Sequence, residues 1–247
     1  QRQMCIRDRL GLGETMRFME CCEGEKRMAD KLELFAKKHI DGHAPGIRGK
    51  EVQAYRLAGV ENDHECSTAE EVLDKLRAGL HIYVREGSGA KNLETLIKTM
   101  LDAGVCLDRC AFCTDDKHVE EIRKEGHIST CIRKAIALGV PVAKAYKMGS
   151  YQAAEFYGLK NYGAIGAGYR ADIVFLDDLE QVRPLDVMKD GRILTEEDYA
   201  KDYSVPVPDE LLHTVHVGEV TKEKIRLSCD GKTDVIQMLS LIHISEP

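Results

Sequence analysis

Short apolar runs alternate with longer amphipathic stretches along most of the chain, and each cycle closes on polar residues. Ile40-Asp41-Gly42 reads as a strand end, 50–57 as a helix, and Gly59-Val60 leads into a strand ending at Asp63-His64. Thr68 and Glu71 have the spacing of a capping box, and Val72, Leu73 and Leu76 form an apolar helical face that stops at Gly79. His81–Arg85 predicts a strand. Leu93, Leu96, Ile97, Met100 and Leu101 predict a helix ending at Gly104, and 110–114 a buried parallel strand. Helical spacing returns over 127–138, 141–148 and 150–157. The pattern then changes: 163–172 is turn-rich, Ile173–Leu176 is a strand, and 186–194 reads as a hairpin through Asp190-Gly191. Pro206 and Pro208 mark a further boundary, after which the pattern from Leu211 onward is strand-like.

Such alternation defines an α/β fold. Glu14, His43, His64, Glu86 and Asp115 each follow one of the apolar runs, roughly 21 to 29 residues apart. A (β/α)8 barrel averages about 31 residues per unit and carries its chemistry at the C-terminal ends of its strands. An open doubly wound sheet would instead gather ligand contacts at one switch point, and neither a G-x-G-x-x-G turn nor a Walker sequence is present. The expected architecture is therefore part of a (β/α)8 barrel over 10–162, followed by a small β-rich domain and the start of a C-terminal region over 163–238. The ends, 1–9 and 239–247, match neither neighbouring pattern and are read as foreign to the fold. On that basis the chain is expected to be a piece of a longer protein.

Composition narrows the function. Charged residues make up 31% and hydrophobic ones 43% of 247 residues, enough for a sizeable core. The net charge of −7 and the absence of a basic stripe exclude nucleic acid as a partner. No run approaches the roughly 18 apolar residues of a membrane span. Nine cysteines, including the adjacent Cys21 and Cys22, give no disulfide framework, so reduced thiols and a cytoplasmic setting are expected. Cys106, Cys110 and Cys113 sit on or beside an apolar strand with no second Cys/His pair at finger spacing, so they are not read as a zinc site. The base-flipping deaminases' HxE followed by PCxxC is also missing: His118-Val119-Glu120 comes after the CxxC, and Arg109 stands where the proline would be.

The strings IDGHAPG, ENDHECSTAEEVLDKLRAG, REGSGAKNL, AFCTDD, EGHIS, GAIGAGYRADIVFLDDLE and VMKDGRIL occur in that order. Together they resemble the bacterial adenine deaminases of the amidohydrolase superfamily, over roughly residues 12–236. The resemblance implies a metal-dependent hydrolase barrel with a small β domain, and hydrolysis of adenine to hypoxanthine and ammonia. It implies metal ligands at Glu14, His43, His64 and Asp115, following the family's fourth, fifth, sixth and eighth strands, and two divalent ions, manganese first, with iron or zinc as alternatives. The family's first strand ends in two histidines separated by one residue, and this sequence has no such pair. The chain by itself is therefore expected to be inactive.

Imidazole and carboxylate suit divalent transition ions. Asp115, as ligand and proton shuttle, and Glu65, beside a ligating histidine, are the candidate catalytic groups. Glu86, Ser88, Asp116 and His118 are the candidate substrate contacts. Arg85 and Glu86 are adjacent at a strand end, where they either pair with each other or leave Glu86 to the substrate. Asp116 is equally suited to capping, and His118 to a solvated loop. The expected partners are a small purine and further copies of the chain. Two other functions fit the same elements: hydrolysis of a cyclic amide or imide, and a non-catalytic binding protein built on a barrel that has lost its metals.

Overall fold

The computed structural model describes residues 9–201, 206–212 and 214–226. Five short strands run parallel in chain order: β1 (Gly11–Thr15), β2 (His39–Gly42), β3 (Asn62–Asp63), β4 (His81–Arg85) and β5 (Cys110–Cys113). β1 pairs with β2, and β4 lies between β3 and β5. The two sheets meet where Glu61 N donates to Ile40 O at 3.0 Å. Gly42 permits that approach, since a Cβ there would overlap the Asn62 carbonyl and lie 2.9 Å from Val60 Cγ1. Among the described residues β1 and β5 are each paired on one side, so no closed barrel is present.

The connections are helical. α1 (Phe18–Glu23) and α2 (Lys26–Glu33) link β1 to β2; α3 (Gly49–Leu57), α4 (Ala69–Arg77) and α5 (Leu93–Asp102) follow the next three strands. Past β5 come α6 (Val119–Glu125), α7 (Ile128–Ala137), α8 (Val142–Gly149) and α9 (Tyr151–Phe156). An antiparallel sheet follows, β6 (Ile173–Leu176), β7 (Pro184–Lys189) and β8 (Arg192–Ile193). Its tight turn places Asp190 and Gly191 at φ 51° and 78°, the pair of positive angles that a type I′ hairpin needs. The described residues up to Ile193 form one compact unit and those from Leu194 a second. No helix among the described residues is long and apolar enough to cross a membrane.

In the second unit the described residues form α10 (Glu196–Tyr199), α11 (Asp209–Leu212) and α12 (Lys222–Ile225), with no strand after Leu211. That corrects the strand-like expectation. Thr221 accepts from Lys224 N at 3.4 Å and starts a helix, while Val215, Val217 and Val220 stay exposed and pair with no strand among the described residues. The ends read as foreign fall almost wholly in 1–8 and 227–247, outside the described residues.

Strand alternation sorts the core. Ile82 and Val84 on β4, with Cys110 and Phe112 on β5, belong to the main core with Val72, Leu93, Leu96, Ile97 and Met100 of the helices. Tyr83 and Ala111 point the other way, against Phe156 of α9. One member of the helix layer is not apolar: Lys75 of α4 is fully buried. Its ammonium donates to Asp63 Oδ2 at 2.9 Å and to Ala44 O at 2.7 Å, and Glu71 Oε1 lies 3.8 Å away. Burial works against the charge, but Asp63 and Glu71 outweigh it and hold the ammonium protonated.

Lys75→Met leaves Asp63 buried without its counter-charge, and is expected to cost about 3–5 kcal/mol in urea unfolding. Glu71 also contributes. Burial raises its pKa, but amides from Gly46 and Ser67 together with Lys75 bring it below the ordinary carboxylate value. A depressed folded pKa gives stability that is present above the unfolded value of about 4.3 and lost as pH falls through the folded one. Acid unfolding monitored by circular dichroism should show this loss below about pH 4, and Glu71→Gln should remove that share of the pH dependence.

Candidate metal centre at the strand ends

Parallel strands in chain order bring their C-terminal ends side by side, and the candidate ligands sit at those ends. Glu14 is the next-to-last residue of β1, His43 follows β2, His64 follows β3, Arg85 ends β4, and Asp115 lies two residues past β5. Ligand atoms of Glu14, His43 and His64 lie within 4.8 Å of one another, as do those of His64, Glu65 and Asp115. Glu14 is 3.4 Å from His43 Nδ1 through one oxygen and 3.6 Å from His64 Nε2 through the other. Glu65 Oε1 is 3.4 Å from His64 Nε2 and 3.7 Å from His43 Nδ1. The two imidazole rings meet edge to face at 5.3 Å. The cluster holds the carboxylates of Glu14, Glu65 and Asp115, and Arg85 pairs with the last two; carboxylate and imidazole together suit a divalent cation.

Four buried groups hold these side chains in place. Tyr55 of α3 is fully buried; its hydroxyl donates to Thr15 O at 2.9 Å and accepts from His43 N at 3.0 Å, tying the end of β1 to the loop after β2. Burial raises the phenol pKa far above its usual value, so the hydroxyl keeps its proton. Asp63 accepts from Ala44 N at 2.8 Å and Glu65 N at 3.0 Å, clamping the residues next to both histidines. Lys75 donates to Asp63 Oδ2, the oxygen that also accepts from Glu65 N. Glu71 accepts from the amides of Ser67 and Thr68, at 3.1 and 3.0 Å, and from Gly46 N at 2.5 Å. Tyr55, Asp63 and Lys75 were not singled out from sequence. The available signal was Lys75 three residues past Val72 on an apolar helical face, where a charged residue requires a buried partner.

Asp115 and Asp116 turn in different directions. Asp115 has φ 48°, a left-handed conformation that costs a non-glycine residue roughly 1–2 kcal/mol, and Oδ2 receives Arg85 Nη1 at 3.1 Å. Asp116 accepts from Ser88 N at 3.1 Å and Gly89 N at 2.8 Å, fixing the loop after β4. Gly87 is required there, because a Cβ would overlap Asp116 Oδ1 and lie 2.9 Å from Thr114 O. Ser88 Oγ donates to Glu121 at 2.7 Å and accepts from His118 N at 2.9 Å. Ser88, Asp116 and His118 thus knit two loops at the rim. Glu86 is not brought to the cluster: it is buried and pairs with Lys134 of α7 at 2.6 Å. An Arg85–Glu86 pair does not form either, since successive strand residues project to opposite faces.

His39 and His81 behave as packing residues. His39 pairs with Glu61 at 2.7 Å, and His81 stacks near Phe156 at 4.3 Å with its pKa lowered to about 4 by burial and Arg109. By contrast, His43 Nδ1 is buried and makes no hydrogen bond among the described residues. Beside the cluster a cavity of about 240 Å³ is lined by Glu14, Asp41, His64, Tyr83, Asp115 and Tyr157, among others.

Residues 24–194 match the amidohydrolase family, and the chain belongs to that family. It is 40% identical over 230 residues to an adenine deaminase of Desulfitobacterium hafniense, covering 93% of this chain and 40% of that protein. An adenine deaminase of Clostridium acetobutylicum is 41% identical over 236 residues, covering 94% of this chain and 41% of the relative. The chain thus spans about 40% of the length of these curated relatives. The β-aspartyl dipeptidase of Fervidobacterium islandicum shares the fold, with a TM-score of 0.55 at 18% identity over 74% of this chain and 57% of that one.

Manganese titration followed by electron paramagnetic resonance checks the cluster. His64→Ala should weaken binding by at least the roughly 10–100-fold that outer-shell partners of metal sites typically carry. His39→Ala, in the packing set, should leave the affinity unchanged.

Proposed function

We propose that the protein to which these residues belong is a metal-dependent deaminase of adenine, releasing hypoxanthine and ammonia. The observation that carries this is the convergence of Glu14, His43, His64 and Asp115 from separate strand ends. The relatives' names, adenine deaminase at 40% and 41% identity, supply the substrate. The sequential parallel order of β1 to β5 supports the further proposal that these units are part of a (β/α)8 barrel, since an open doubly wound sheet reverses its order at the switch point.

The donors fit divalent transition ions: Glu14 groups with His43 and His64, Asp115 groups with His64, and the buried Nδ1 of His43 lacks a hydrogen bond among the described residues. These four residues would hold two ions, manganese first. Glu14 faces both histidines through different oxygens. A bound ion supplies acidification of water and Lewis-acid assistance.

The chain's own groups manage the protons. The Asp115 carboxylate accepts a proton from the attacking water and returns it to the departing amine at carbon 6. Glu65, next to His64, serves the purine ring nitrogen that gains charge as the water adds. The cavity of about 240 Å³ beside the cluster offers a place for the substrate's ring.

The test replaces the matching segment of the Desulfitobacterium hafniense relative with this chain and measures ammonia release in manganese. Adenine should be turned over and adenosine at least about tenfold more slowly, a discrimination of about 1.4 kcal/mol. Asp115→Asn should abolish release from adenine. Faster release from adenosine, or unchanged turnover in Asp115→Asn, contradicts the proposal.

A further inference from the structure

Glu65 presents a puzzle of placement. Its Oε1 lies 3.4 Å from His64 Nε2 and within 4.8 Å of a ligand atom of Asp115, so it stands where a carboxylate would ordinarily bind the ion. Yet both of its oxygens are already engaged. Arg85 Nη1 bonds Oε1 and Nη2 bonds Oε2, the latter at 3.1 Å, in a two-pronged guanidinium–carboxylate pair. The same Nη1 reaches Asp115 Oδ2 at 3.1 Å.

We infer that Arg85 is a positioning residue that withholds Glu65 from the metal's ligand set. The inference rests on the metal-hydrolase reading above and adds a division of labour among its carboxylates. Glu14 and Asp115 keep oxygens for the ion, while Glu65, forked onto Arg85, stays beside it without ligating it.

Three observations favour this role over simple packing. The Arg85 side chain is only 9% exposed, and burial opposes its charge, but Glu65 and Asp115 outweigh that and keep the guanidinium ionised. Its Nε is buried with no hydrogen-bond partner among the described residues, so the group is oriented chiefly by these two carboxylates. Its other contact, Nη2 to Asn92 Oδ1, is long at 3.5 Å. A guanidinium is also fixed in charge and planar, so it occupies a carboxylate's two oxygens in one geometry, which a lysine ammonium does not.

The experiment is a cobalt titration of the 247-residue chain, read by visible absorption, for the unaltered sequence, Arg85→Met, Glu65→Gln and the double variant. Adding a carboxylate ligand raises the coordination number of cobalt and lowers the intensity of its visible bands. Arg85→Met should therefore lose band intensity, because Glu65 swings onto the ion. Glu65→Gln alone should keep the unaltered spectrum, and the double variant should return to it. Identical spectra for the unaltered chain and a folded Arg85→Met overturn the inference while leaving the metal reading intact. Should Arg85→Met not fold, Glu65→Gln decides: an unchanged spectrum upholds the withheld carboxylate, and a changed one shows it ligating already and overturns it. No cobalt bound by the unaltered chain overturns the metal reading and this inference together.

Discussion

The candidate site depends on one buried ammonium. Lys75 sits in the apolar layer between helices and strands, with Asp63 and the Ala44 carbonyl within hydrogen-bond reach. A charge there is tolerated only when it is paired and its partners are fully bonded. Asp63 meets that condition by accepting from Ala44 N and Glu65 N as well, and Glu71 gathers the amides of Gly46, Ser67 and Thr68. The loops that carry His43 and His64 are therefore fastened to one network. Any movement of those loops would strand a buried charge, which makes the ligand positions stiff.

Above that network the polar groups divide by direction. Side chains on the inner side of the strand ends converge on the space for an ion, and those on the other side serve the scaffold. Arg85 and Glu86 show the rule in adjacent residues, one turned to Glu65 and Asp115, the other to Lys134. Asp115 and Asp116 repeat it past β5, where a left-handed backbone at Asp115 aims one carboxylate inward and leaves the next to hold Ser88 and Gly89. Backbone strain at Asp115 is offset by the ion pair it allows.

Much of this was legible in the sequence because local pattern and tertiary role agree. The capping box at Thr68 and Glu71, the strand His81–Arg85 and the helix beginning at Leu93 form where their spacing says. His43, His64 and Asp115 could be placed at the strand ends because each closely follows an apolar run, while their reading as ligands rests on the resemblance of the strings that carry them. Lys75, Tyr55 and Asp63 could not be singled out, since their function lies in partners 12 to 40 residues away that no local window contains. Glu86 misled for a related reason: position in sequence put it at the right strand end, while the alternation of side chains put it on the wrong face. The valines after Leu211 form no strand among the described residues, because β propensity is realised only when another strand is there to pair with.

Anomalous diffraction from crystals of the chain grown with manganese tests the central claim most directly. A preassembled cluster places anomalous peaks at bonding distance, about 2.0–2.3 Å, from the imidazoles of His43 and His64 and from carboxylate oxygens of Glu14 and Asp115, with Lys75 still bonded to Asp63 beneath. A peak on surface carboxylates, with the two histidine rings uncoordinated, would contradict it.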